Sequence, residues 1–304
     1  MVEISYIVAP IFLIILLGKL LKVSLIKDDG IWNQINKLTY WVLFPCLLFN
    51  KTSVIDFEGF SVGGFSASLM TGYLVAVLVG YILSKMYGMS AASLSSVIQG
   101  SGRHNSFVAL AVVSQLLGEQ GELIGTIAIA IMVIFSNVLT IVFMTSILAD
   151  EAKRKPNIFT EILKNPFIVS IAIGLSFNFI GWGNLPVLHD FTDNIGRAGL
   201  PLALICVGAG LKFVGVRNFL VPTFIASLSK MVILPFIVFL SCVYFDLAPI
   251  MTMCAVIFAT VPTSSTAYAL AKYMGGDAPL MAAIISLQTL LAVITIPLVI
   301  ILLS

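Results

Sequence analysis

The chain has 304 residues, of which 60% are hydrophobic and 10% charged, with a formal net charge of +2 and a mean hydropathy of +1.11. Soluble domains carry about 25% charged residues, so this composition excludes a soluble globular protein and describes an integral membrane one. The small net charge offers nothing to nucleic acid, because the few basic residues sit mostly in short loops.

The N-terminus, Met1-Val2-Glu3-Ile4, has no basic segment and no small-residue cleavage site ahead of the first apolar run. It does not read as a cleaved signal peptide, and the first span is expected to be retained. A hydrocarbon core needs about 20 apolar residues per helix. That length predicts ten spans, at 5–21, 31–50, 62–86, 91–116, 122–148, 162–182, 188–211, 217–242, 246–271 and 278–303. Cys46, Cys206, Cys242 and Cys254 fall inside these runs with no close pairing. They read as small buried hydrophobes, not as a disulfide or metal framework.

With the N-terminus outside, one face of the membrane collects Lys19, Lys22, Lys27, Lys85, Lys153, Arg154, Lys155, Lys164, Lys212, Arg217 and Lys272, and the other has essentially Lys51. Basic loops stay on the cytoplasmic side. Both termini are therefore expected outside, with Asp150–Asn157 as the main cytoplasmic loop of a plasma-membrane (bacterial inner-membrane) protein.

The halves echo one another. Pro10, Gly18 and Pro45 recur as Pro166, Gly174 and Pro201 at one offset of 156 residues, and Ala109-Leu110-Ala111 returns as Ala269-Leu270-Ala271 at a slightly larger one. A unit of five spans has odd parity, so its second copy enters from the opposite side. The expected architecture is an all-α membrane protein of ten transmembrane helices in a 5+5 inverted repeat, the scaffold of alternating access. Its first repeat covers 1–148, a cytoplasmic loop 149–161, and its second repeat 162–304.

Two spans are broken by polar clusters. The fourth reads Gln99-Gly100-Ser101-Gly102-Arg103-His104-Asn105-Ser106, and the ninth Thr260-Val261-Pro262-Thr263-Ser264-Ser265-Thr266. Unpaired backbone groups in hydrocarbon cost several kcal/mol each, so such breaks persist only beside a cavity or packed protein. One in each half points to a transporter's binding site. Each break should start a new half-helix whose first amides carry partial positive charge. Pro262 suits a first helical turn, and Asn105, Ser106 and Thr263 to Thr266 are capping candidates. Converging N-termini with hydroxyls and an amide between them make an anion site.

Arg103, a midplane charge, is a functional candidate, and its fork suits a carboxylate. The bland reading pairs it with a backbone carbonyl or a wet gap. His104 is a candidate for proton coupling, against hydrogen-bonded packing. Asn105 caps, binds substrate, or does both. Gln99 and Ser101 precede the break and complete the candidate set. Lys230, a second intramembrane cation, either holds substrate or neutralises a helix C-terminus. Ser136, Asn137 and Gln288 either reach the site or hydrogen-bond between helices.

Residues Asn36 to Pro45 (NKLTYWVLFP), the Arg103-His104-Asn105 break, the stretch Thr260 to Tyr268 and Tyr273-Met274-Gly275-Gly276-Asp277 together resemble the auxin efflux carrier family, over essentially the whole chain. The resemblance implies crossed fourth and ninth helices in a bile-acid-symporter-like fold. It also implies a transport domain holding those helices, a scaffold with the second and seventh, an elevator-like motion between them, and a homodimer through the scaffold. Plant members export auxin, a monocarboxylate, and bacterial relatives are associated with malate, malonate and other organic acids. The short loop at Asp150–Asn157 is similar to the bacterial type. Asn105 occupies the family's asparagine at the first crossover and Pro262 its proline at the second. His104 stands where many members have proline, and Ser264 or Ser265 where plant carriers have a second asparagine.

The expected function is secondary transport of a small organic carboxylate, with Arg103, Asn105, Ser106, Pro262, Thr263, Ser264 and Ser265 at its centre. No cofactor is expected. Coupling to sodium, through carbonyls and hydroxyls, or to protons stays open, because no carboxylate sits near the breaks. A sodium-coupled bile-acid-type organic anion symporter is the alternative carrier, and a membrane-embedded ligand sensor the alternative of another class. With only His104 and His189, and no His-Glu-x-x-His helix, an intramembrane hydrolase lacks its chemistry.

Overall fold

A chain this apolar must satisfy its backbone internally, and within a bilayer helices do so segment by segment. The computed structural model describes residues 2–55, 60–148, 160, 163–183, 185–212 and 219–304, and their regular structure is helical, with no strand among them. The expected loop Asp150–Asn157, with Lys153, Arg154 and Lys155, lies outside the described residues, as does Arg217.

The first half contains α1 (Val2–Ser24), α2 (Asp29–Leu38), a π-turn (Thr39–Leu43), α3 (Phe44–Ser53), α4 (Val62–Met86), α5 (Ala91–Gly102) and α6 (Ser106–Ile147). The second contains α7 (Pro166–Phe179), α8 (Pro186–Arg197), α9 (Gly199–Ala209), α10 (Leu220–Leu228), a second π-turn (Ser229–Ile233), α11 (Leu234–Tyr244), α12 (Pro249–Thr260), α13 (Thr266–Met274) and α14 (Ala278–Leu303). Among the described residues, four helical stretches are long and apolar enough to cross a membrane by themselves: Val62–Met86, Ala91–Ile147, Leu220–Tyr244 and Ala278–Leu303.

Local sequence explains most boundaries. Asn165 caps α7, its Oδ1 accepting from the Phe167 and Ile168 amides at 3.0 and 3.4 Å, with Pro166 at the first turn, where its missing amide costs nothing. Asp277 caps α14 through the Leu280 amide at 3.0 Å. Gly275, in the left-handed region at φ +89°, ends α13, and the Gly275 and Gly276 amides both close on Ala271 O. Gly118, at φ +62°, turns the backbone inside α6 and separates the fourth span from the fifth without a loop. Each π-turn precedes a helix with proline in its first turn, Pro45 or Pro235, and closes through a five-residue bond, Phe44 N to Thr39 O and Leu234 N to Ser229 O.

Helices meet where side chains are small. The pair α1 and α9 touches through Gly18 against the Ile205 carbonyl and Gly208 against the Ile15 carbonyl. Gly72 of α4 lies against the Val238 side chain of α11. Such contacts substitute for the hydrophobic drive that helices lack in lipid. The α12 and α6 helices pack together at the centre, and the buried core runs through Tyr73, Val112, Cys254 and Ile257. Lys51, expected as the lone outer cation, pairs with Glu122 at 3.2 Å.

Candidate functional site

Both polar clusters interrupt helices. After α5 ends at Gly102, Arg103, His104 and Asn105 run extended before α6 begins at Ser106. Asn105 is the N-cap of α6, its Oδ1 3.2 Å from both the Phe107 and Val108 amides. In the other cluster α12 ends at Thr260 and α13 begins at Thr266. The expectation that Pro262 opens this half-helix needs correcting. Pro262 precedes Thr266 by four residues and lies in the linker, where its carbonyl accepts the Asn105 amide at 2.8 Å. That bond joins the two breaks directly and holds the linker extended.

A second tie runs through Gln288 of α14. Its Oε1 accepts the Thr263 amide at 2.9 Å and lies 2.7 Å from Thr263 Oγ1, while its Nε2 donates to Gly100 O at 2.9 Å. Thr263 Oγ1 is also 2.9 Å from Gly100 O. One amide thus serves the carbonyl end of α5 and the linker after α12 together. Gln288→Leu should lower stability by about 2–3 kcal/mol, since it orphans the buried Thr263 amide and removes a donor from Gly100 O. A thermal melt unchanged from wild type would refute that assignment.

Against the joined breaks lies a cavity of about 500 Å³. Arg103, His104, Asn105 and Ser106 line it from the first break, Ser264 and Thr266 from the second, and Ser136 and Asn137 from α6. Tyr40 and Trp41 of the first π-turn, with Phe107 and Phe167, supply an aromatic wall in which the Tyr40 and Phe167 ring centroids stand 4.8 Å apart. Lys164 and Asn165 also border the cavity.

Arg103 is 7% exposed, and its Nη2 donates to Thr266 Oγ1 at 3.0 Å. Its Nε and Nη1 are buried and have no hydrogen-bond partner among the described residues. The ion pairs among the described residues, Lys22–Asp29, Lys51–Glu122 and Asp193–Arg197, do not include it. A guanidinium buried at a cost of several kcal/mol, with the N–H groups of two nitrogens unused, is chemically suited to an anion.

The remaining candidates divide between the cavity and its supports. His104 Nε2 is 3.3 Å from Ser106 Oγ, and its buried Nδ1 has no partner among the described residues. Ser264 Oγ lies 2.9 Å from Thr266 Oγ1, the hydroxyl that receives Arg103. Gln99, Ser101, Pro262, Thr263, Ser265 and Lys230 are not among the cavity walls. The Ser101 hydroxyl donates to Val97 O at 2.8 Å, and both Gln99 side-chain amide atoms are buried with no partner among the described residues. Lys230 is fully buried and donates to Ala259 O at 2.9 Å.

Sequence reasoning missed the aromatic wall and the pairing of Thr266 with Arg103. Trp41 and Tyr40 sit near Pro45 in a span with no other sign of function. The Asn165-Pro166 cap is a readable signal that α7 starts at this depth, but nothing local places it beside the cavity.

Interrupted apolar helices around a polar, cation-bearing cavity define a multi-pass membrane transporter. The family model described as "Membrane transport protein" matches residues 4–300, and the chain belongs to that family, the auxin efflux carrier-like transporters. No curated protein matches the chain.

Proposed function

We propose that this chain is a secondary carrier for a small organic carboxylate, whose acid group is held by Arg103 at the meeting of the two breaks. The observation that carries the reading is the buried guanidinium, which lines the cavity with Nε and Nη1 unpaired and no carboxylate bonded to it among the described residues. The capped N-terminus of α6 and the Ser264 and Thr266 hydroxyls add donors beside it. The wall of Tyr40, Trp41, Phe107 and Phe167 suits the apolar body of the same molecule.

In this reading the ten spans form a 5+5 inverted repeat, the fourth and ninth cross at their breaks, and both termini face outward from the plasma membrane. The matched Pro10/Pro166, Gly18/Gly174 and Pro45/Pro201 support the repeat. The Asn105 to Pro262 bond supports the crossing. Transport proceeds by elevator-like movement of the broken helices against a scaffold that includes the second and seventh spans, through which two copies pair.

A thermal-shift panel of mono- and dicarboxylates, with sodium or choline as the counter-ion, tests the reading. A ligand at 100 times its dissociation constant stabilises by about 2.7 kcal/mol, so at least one carboxylate should raise Tm by several degrees. A panel in which no carboxylate raises Tm, while organic cations do, would overturn it.

A further inference from the structure

A helix broken at the midplane exposes two poles. The N-terminal poles of α6 and α13 face the cavity and its proposed anion. The C-terminal poles of α5 and α12 carry partial negative charge and carbonyls without intrahelical partners. The two are satisfied differently. At α5, Gln99 O takes the Arg103 amide and Gly100 O takes the neutral Gln288 amide. At α12, Ile257 O takes the Val261 amide and Ala259 O takes the Lys230 ammonium.

Lys230 is fully buried, belongs to no ion pair among the described residues and does not line the cavity. It sits in the π-turn Ser229–Ile233, a helix distortion that often accompanies function. Ser229 beside it has a buried hydroxyl with no partner among the described residues. Half-helix C-termini and free backbone carbonyls are the groups with which carriers coordinate a coupling cation.

We propose that Lys230 is a tethered cation: its ammonium occupies the place at the α12 C-terminus that a free monovalent cation would take, so the carrier needs no sodium there. Lys230 is then a positioning residue, holding α12 and its linker in the shape that presents Ser264 and Thr266 to the cavity. This rests on the carrier reading of the same site, but its test contains no carboxylate, so failure of the anion site leaves the result interpretable.

The test compares Tm of the purified wild type, Lys230→Ala and Lys230→Gln in choline, sodium and methylammonium chloride at equal ionic strength. Wild type should melt at one temperature in all three salts. Lys230→Ala should melt several degrees lower in choline and regain at least half the loss in methylammonium or sodium, while Lys230→Gln, a neutral donor, should stay low in choline. A plain structural cap is not rescued by a diffusible cation. The proposal is overturned if Lys230→Ala matches wild type in choline, if neither small cation restores it, or if sodium raises the wild-type Tm. The last comparison decides even if neither variant folds.

Discussion

Arg103→Ala is expected to abolish carboxylate binding while leaving a folded protein. Charge-assisted hydrogen bonds contribute about 1.5–3 kcal/mol each, and Nη1, without a partner among the described residues, stands beside Nη2 at the end of the guanidinium, where a carboxylate takes two parallel N–H bonds. Losing both should weaken binding by about 3 kcal/mol or more, roughly 100-fold. Arg103→Lys keeps the charge and loses the planar fork, so its affinity should fall between the two. The fold should not suffer, because the guanidinium is buried with one hydrogen bond and removing it relieves desolvation. Calorimetric titration of the best ligand from the anion panel, paired with thermal melts, checks both halves. Wild-type affinity in Arg103→Ala would remove this residue from the site.

The largest effect on the fold is expected from Gly208→Val. A side-chain carbon at Gly208 would overlap the Ile15 carbonyl and crowd Lys19 N, and the reciprocal Gly18 faces the Ile205 carbonyl. Backbone atoms of two packed helices cannot swing aside as a side-chain tip can. The substitution should cost about 3 kcal/mol or more and should part α1 from α9, with loss of the monodisperse protein on size exclusion. Gly63 of α4 is the control, because a Cβ added there would meet nothing within 4 Å. Gly63→Ala should be neutral or slightly stabilising. Equal melts for Gly208→Val and Gly63→Ala would refute the packing argument.

The helices and their two breaks were legible because apolar length and polar interruption are local properties, readable from a run such as Gln99 to Ser106. The role of Asn105 as a cap was legible for the same reason, since it bonds amides two and three residues ahead. Pro262 misled: proline favours a first helical turn, but here its carbonyl is held by Asn105 across the molecule, and the helix waits until Thr266. What stayed hidden was non-local. Arg103 meets Thr266 from 163 residues away, Gln288 meets Gly100 from 188, and Lys230 meets Ala259 from another helix. Pro235 gave no warning of the π-turn before it, because proline fixes its own φ and removes one amide donor without dictating how the preceding turn closes.

The most direct measurement of the anion site is anomalous X-ray density from crystals grown with a bromine-labelled carboxylate that binds in the thermal-shift panel. A bromine peak is expected in the cavity beside the Tyr40 and Trp41 wall, with the acid group on the Nη1–Nη2 end of Arg103. Saturated binding with bromine elsewhere, and none in that cavity, would contradict a carboxylate site at the two breaks.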